Sequence, residues 1–334
     1  MSRQQGKILV IRGGAIGDFI LTLPAIAALR ERFPDARLEV LGYPHIAQLA
    51  LAGGLVDAVQ PIEARALAGF FARGGELAEE LRDYFSECDV IVSYLYDPDA
   101  VFQDNVARCS AAQFIRGPHR PNEHEKIHAT EVYLKPLERL AILEADPVPR
   151  LKVAPASSPA SDDASNFASD AGLVGTRWLE ARATLALHPG SGSEHKNWPE
   201  AKWRDLIAHL VERTPLHLLI VGGEAEGDRL QRLAAPLPAN RCTLARSLPL
   251  VELACLLQPC HGFVGHDSGI THLAAALGLP GMVLWGDTVP EVWRPQGEKM
   301  VVVYEARGLG TLTVERVSRQ LTELLQVSRA VAAG

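Results

Sequence analysis

The feature that most constrains this chain is a short apolar run that ends in glycine and is followed by a stretch of helical period, and it occurs in both halves. Lys7–Ile11 (KILVI) runs into Arg12-Gly13-Gly14, and Asp18–Phe33 (DFILTLPAIAALRERF) then spaces its apolar residues as a helix does. In the second half, residues 183–190 (ATLALHPG) precede a helical pattern near Pro199–Arg213. The theme returns at 217–223 (HLLIVGG), 262–267 (GFVGHD) and 281–286 (GMVLWG). Short, nearly continuous apolar strands are buried on both faces. Strands alternating with helices make βαβ units around a parallel sheet. Further strands are expected at 37–42, 89–93 and 113–115, and helices near 250–257, 269–277 and 313–327. Such sheets place ligands at the C-terminal ends of their strands.

The rhythm breaks at 147–176, a stretch rich in Pro, Ser, Ala and Asp that reads as a linker with a short helix near its end. A chain of 334 residues accommodates two domains. The expected division is a Rossmann-like domain over 1–155, a linker over 156–180, a second Rossmann-like domain over 181–312, and a C-terminal helix over 313–334 that packs back toward the first domain. Residues 1–150 hold 16 Lys+Arg against 21 Asp+Glu and the remainder 17 against 19, which sum to the net charge of −7. Neither half carries the basic footprint of a nucleic-acid binder. The five cysteines form no CxxC pair and read as free thiols in a reducing compartment. The N-terminus lacks a signal-peptide run, and no apolar run approaches the ~20 residues of a membrane span. The expectation is a soluble, cytoplasmic protein, at most peripheral on the inner membrane surface.

Three loops carry candidate chemistry. Arg12–Asp18 (RGGAIGD) lets backbone N–H groups approach a ligand closely. It is neither GxGxxG nor a Walker loop, and no acidic residue ends the next strand, LEVLGYP. Asp18 stands at a helix start, where position alone favours a cap over a general base. His188–Pro199 (HPGSGSEHKNWP) offers small residues, the hydroxyls of Ser191 and Ser193 and the charge of Lys196, a combination suited to phosphate or equally to an ordinary flexible loop. In Phe263–Gly278 (FVGHDSGITHLAAALG), a helix N-terminus supplies N–H groups and dipole for an anion. Gly269 permits close approach, Ser268 and His272 donate, and Asp267 caps the helix or orients its neighbours. Two glycines, a serine and a histidine exceed what capping needs. A fourth match, His124–His128 (HEKIH), fits the zinc pattern HExxH, but Lys126 and the polar flanks favour a solvated helix face.

Taken in order, four segments resemble glycosyltransferase family 9, the ADP-heptose:lipopolysaccharide heptosyltransferase family. They are ILVIRGGAIGDFILTLPAIAALRERFP, HPGSGSEHKNWPEAKW, VGGEAEGD and VGHDSGITHLAAALGLPGMVLWG. The resemblance implies an α/β GT-B fold, with two Rossmann-like domains facing across a cleft that closes on its substrates. It implies an inverting, metal-independent transfer of a sugar, with no cofactor, from an ADP-sugar to an anionic glycolipid or glycan. Asp18 would be the base. Ser191, Ser193, Lys196, Asp267, Ser268, Gly269 and His272 would hold the diphosphate and donor sugar, with Glu224 at the ribose and Leu248 against the nucleobase. Arg65, Arg73, Arg116 and Arg120, with His119 beside them, are the candidate acceptor anchors. Two competing readings are a non-catalytic sugar-nucleotide or glycan-binding module on the same fold, and the HExxH metalloprotease.

Overall fold

In the computed structural model, residues 5–154, 183–297, 299–305 and 307–332 are described. The linker expected over 156–180, with its helix, lies outside them. The chain divides into two compact units, Met1–Pro149 and Arg150–Gly334.

The first unit is a five-stranded sheet of β1 (Lys7–Arg12), β2 (Arg37–Gly42), β3 (Ala58–Pro61), β4 (Val90–Ser93) and β5 (Gln113–Arg116), all parallel, in the order β3-β2-β1-β4-β5. Five α-helices connect or follow them: α1 (Ile16–Arg32), α2 (Pro44–Ala52), α3 (Glu79–Ser86), α4 (Val101–Ala107) and α5 (Ala129–Leu134). β1 is the central strand and is buried at every position, which is why KILVI carries no polar alternation. One face of this sheet packs on Phe70, Phe85 and Phe102.

The second unit contains β6 (Thr184–His188), β7 (His217–Gly222), β8 (Cys242–Arg246), β9 (Gly262–His266), β10 (Gly281–Trp285) and β11 (Met300–Tyr304). They are parallel, in the order β11-β10-β9-β6-β7-β8. Its helices are α6 (Glu200–Arg213), α7 (Arg229–Ala234), α8 (Leu250–Leu257), α9 (Gly269–Ala276), α10 (Pro290–Trp293) and α11 (Val314–Ala332). Val317 and Leu321 of α11 are buried in the same core as Trp198, Trp203 and Leu206, so this helix belongs to the packing of the second unit.

Both sheets are doubly wound. The strand order reverses between β1 and β4 in one unit and between β6 and β9 in the other. At such a point neighbouring loops leave in opposite directions and open a crevice, which is where ligands bind. The loops after β1, β6 and β9 are the three singled out in the sequence.

Candidate active site

In the first unit the chain passes from β1 to α1 through Gly13, Gly14 and Ala15. Gly14 takes φ 104°, a conformation costly for other residues, and a Cβ there would press on the Asp18 carboxylate. Asp18 is the third residue of α1 rather than its cap. The cap position is Ala15, whose N–H donates to Asp18 Oδ2 at 3.2 Å. A carboxylate here satisfies an orphan donor and complements the helix dipole. About a third of its side chain remains exposed, so it is open to a substrate. Behind it, 3.6 Å from Oδ1, lies the buried guanidinium of Arg12.

The C-terminal ends of β4 and β5 form a cavity of about 200 Å³ whose lining includes Tyr96, Asp97, Arg116 and His119. The exposed Tyr96 ring meets the His119 ring edgewise, with centroids 4.6 Å apart. Arg116 Nη2 donates to the Asp97 carbonyl at 2.6 Å. Of the four arginines expected as anchors, Arg116 alone is among the lining residues. Arg73 is exposed and pairs with Asp99, Arg120 pairs with Glu123, and the exposed Arg65 opens a 3-10 helix whose Leu67 and Phe70 are buried.

In the second unit the loops after β6 and β9 interlock. Ser268 is the N-cap of α9 and accepts from Thr271 N–H at 3.3 Å, so the cap is Ser268 and not Asp267. The Gly269 and Ile270 N–H groups have no acceptor among the described residues, which leaves the positive end of the helix open to an anion. Asp267 instead holds Lys196: Lys196 Nζ lies 2.6 Å from Asp267 Oδ2, and Thr288 Oγ1 donates to the same oxygen at 2.7 Å. The cation expected at a phosphate is thus already positioned beside the α9 N-terminus by an ion pair. Ser191 Oγ lies 2.8 Å from both Ser193 O and Asn197 Oδ1, so its one proton is spent inside the loop. Ser193 makes no side-chain cap bond and is half-buried, and His272 is buried one turn into α9. Arg229 clamps the loop from α7 through Glu194, at 2.6 and 2.9 Å. Glu224 is exposed on the 3-10 turn after β7, and Leu248 is half-buried between β8 and α8.

Two buried histidines underlie this arrangement. His266 Nε2 accepts from the Trp198 N–H at 2.9 Å and from Trp203 Nε1 at 3.3 Å. Nδ1 must then carry the proton and donates to the Gly190 carbonyl at 3.2 Å. One neutral imidazole therefore fastens both ends of the β6 loop to β9. His188 Nδ1 lies 3.2 Å from Ser268 Oγ, and its Nε2 is 3.9 Å from buried Glu226. Glu226 Oε2 accepts from Gly223 N–H at 2.6 Å, and any Cβ at Gly190 would overlap the Glu226 carboxylate. Burial pushes His266 down to about 3. Burial also pushes His188 down to about 4, against the opposing pull of Glu226.

Unfolded, both imidazoles protonate near 6.5, whereas folded they stay neutral until about 4 and 3. Between those limits the unfolded chain binds more protons, so stability is complete above 6.5 and is lost as pH falls. From pH 7 to pH 5 each histidine is expected to cost about 2 kcal/mol. Thermal melts of wild type and His188→Gln at the two pH values test this. The variant should show the smaller drop, and an equal drop in both would remove His188 as a source.

His124–His128 does not form a helix face. His124 sits in a 3-10 turn over Glu123–Glu125, Lys126 is left-handed at φ 52°, and His128 caps α5 with Nδ1 at 2.8 Å from Thr130 Oγ1. The two rings are not one helical turn apart, and among the described residues no group of three His, Cys, Asp or Glu could hold a metal ion. The helix expected here is absent, which removes the spacing a zinc site would need, while residues 124–127 are solvated as expected and His128 is buried. Arg12, His188, Glu226, His266 and Thr288 escaped the sequence reading. Arg12, His188 and His266 left a signal there, a polar or charged residue closing a largely apolar strand.

Two doubly wound units, with an anion-ready helix in one and a partly exposed carboxylate near a helix start in the other, have the strand topology of the GT-B fold. The model of glycosyltransferase family 9 (heptosyltransferase) matches residues 119–318, more than half the chain, and the chain belongs to that family. It is 24% identical over 299 residues to lipopolysaccharide heptosyltransferase 3 of Escherichia coli K12, covering 85% of this chain and 84% of that one. A shorter match of 106 residues is 41% identical to lipopolysaccharide heptosyltransferase 1 of Pseudomonas aeruginosa, spanning 32% of this chain and 29% of the relative. In fold it is similar to the solved E. coli ADP-heptose LPS heptosyltransferase II, with a TM-score of 0.73, 19% identity, and coverage of 97% of this chain and 99% of that one.

Proposed function

We propose that this enzyme transfers a heptose from ADP-heptose to a hydroxyl of a lipopolysaccharide core, with inversion and without a metal ion. The observation that carries the donor half is the Lys196–Asp267 pair beside the open N-terminus of α9, at the β6/β9 switch point. The relatives named above bear lipopolysaccharide and ADP-heptose in their names. The first unit takes the acceptor and the second the donor.

Asp18 removes the proton from the acceptor hydroxyl. The freed oxygen attacks C1 of the heptose from the face opposite the diphosphate. The bond from C1 to the phosphate oxygen breaks, and ADP leaves with the electron pair. Lys196 and the Gly269 and Ile270 N–H groups meet the charge that develops there. Ser193, Asp267, Ser268, Gly269 and His272 surround the diphosphate and sugar, and Ser191 shapes the loop. Glu224 reaches the ribose and Leu248 packs on the adenine. Arg116, Tyr96 and His119 receive the acceptor, the aromatic pair as a stacking surface and the guanidinium for an anionic substituent. The enzyme meets its glycolipid at the cytoplasmic membrane surface; among the described residues no helix is long and apolar enough to cross a membrane.

A calorimetric panel of ADP-, GDP-, UDP- and CMP-sugars tests the donor, with transfer assayed with and without a chelator. ADP-heptose should bind most tightly, and the chelator should leave the rate unchanged. A preference for UDP or GDP would overturn the donor assignment, and loss of activity in chelator would overturn metal independence.

A further inference from the structure

We infer that Arg12 is the positioning residue of the base, and that its guanidinium sets Asp18 relative to the acceptor cavity. The inference rests on the reading of Asp18 as base. Arg12 is the last residue of β1, and only 2% of it is exposed. A charge that deep needs a counter-charge and hydrogen-bond acceptors. Among the described residues its carboxylate is Asp18, with Nη2 at 3.6 Å from Oδ1 and donating to the Asp18 carbonyl at 3.2 Å. Nη1 points the other way and donates to the His119 carbonyl at 2.9 Å. His119 lines the cavity and carries the ring that meets Tyr96. One planar group therefore ties the base to the cavity wall.

The guanidinium is itself held against the Tyr133 ring, 4.5 Å from its centroid, with the Tyr94 ring at 5.9 Å. Tyr94 Oη donates to the Tyr133 carbonyl at 2.6 Å, which locks that aromatic wall together. Arg12 Nε is buried without a hydrogen-bond partner. A guanidinium kept for folding alone would be expected to satisfy its buried donors. This one leaves a donor unsatisfied while its two terminal nitrogens reach Asp18 and His119. Lysine cannot replace it, because a single ammonium lacks the flat fork that serves two acceptors on different segments.

The test is a kinetic cycle. Arg12→Lys should lower kcat about tenfold and Arg12→Ala about 10²-fold, as expected for a misplaced reacting group. KM for donor and acceptor should stay within about twofold. Added guanidinium should restore part of the Arg12→Ala rate. Because Arg12 acts through Asp18, Arg12→Lys combined with Asp18→Asn should be no slower than Asp18→Asn alone. Losses that multiply in the double variant, or a fully active Arg12→Lys, overturn the assignment. If Arg12→Ala fails to fold, the Arg12→Lys cycle decides by itself. The contact is also read without turnover, from the carbon-13 resonance of the Asp18 carboxylate, which should move in Arg12→Lys. An unmoved resonance overturns the assignment even if ADP-heptose proves not to be the donor, and the donor panel reports that second failure separately.

Discussion

Asp18→Asn is expected to lower kcat by about 10²–10⁴-fold while leaving ADP affinity nearly unchanged; it takes the counter-charge from buried Arg12, so the melting temperature falls, though less than in Asp18→Ala. The substitution separates the two things the carboxylate does. As the third residue of α1 it accepts the Ala15 N–H, and an asparagine side-chain oxygen can still do that. As a base it must take a proton, and an amide cannot. If Asp18 served only the helix start, its loss would cost about 1 kcal/mol of stability and no chemistry. Asp18→Ala should show the chemical loss with the larger fall in melting temperature, which makes the pair of variants diagnostic. Steady-state kinetics with ADP-heptose, calorimetry with ADP and a thermal melt supply the three readings. An asparagine variant within tenfold of wild type would place the base elsewhere.

Lys196→Ala is expected to reduce kcat by about 10²–10³-fold and also to weaken ADP binding, because the charge lost is the one aimed at the leaving diphosphate. The Asp267 side chain is only 11% exposed, and in that variant it keeps Thr288 as a partner but loses its counter-charge. A diphosphate would then meet a carboxylate without its cation. Adding Asp267→Asn should therefore recover part of the ADP affinity but not the rate. Equal ADP affinity in wild type and Lys196→Ala would show that Lys196 does not reach the diphosphate.

Much of the fold was legible because its signals are local. ILVI, LAL and FVG are uniformly apolar, and the strands that carry them are buried at every position. Gly-Gly and Pro-Gly after the first two marked the crossings into the helices. The candidate loops were legible for the same reason: small residues, a lysine and a helix start are all adjacent in the chain. His124–His128 misled because a five-residue pattern carries no information on whether the backbone is helical. The left-handed Lys126 and the cap at His128 broke the spacing on which zinc binding depends. Asp267 was hard to place because capping and holding a distant lysine use the same carboxylate.

Sequence alone determined the two parallel-sheet units, the family, and the three loops at the strand ends, since apolar period and turn chemistry act over a few residues. Tertiary structure decided which side chains meet across those loops. Lys196 and Asp267 are 71 residues apart, His266 reaches Gly190 across 76, and Arg12 joins Asp18 to a carbonyl 107 residues away. These pairings follow from strand order, because β9 lies beside β6 and β4 beside β1, with β5 next to β4. That order is set by how whole helices and strands bury their apolar faces together, and no local stretch of sequence carries it.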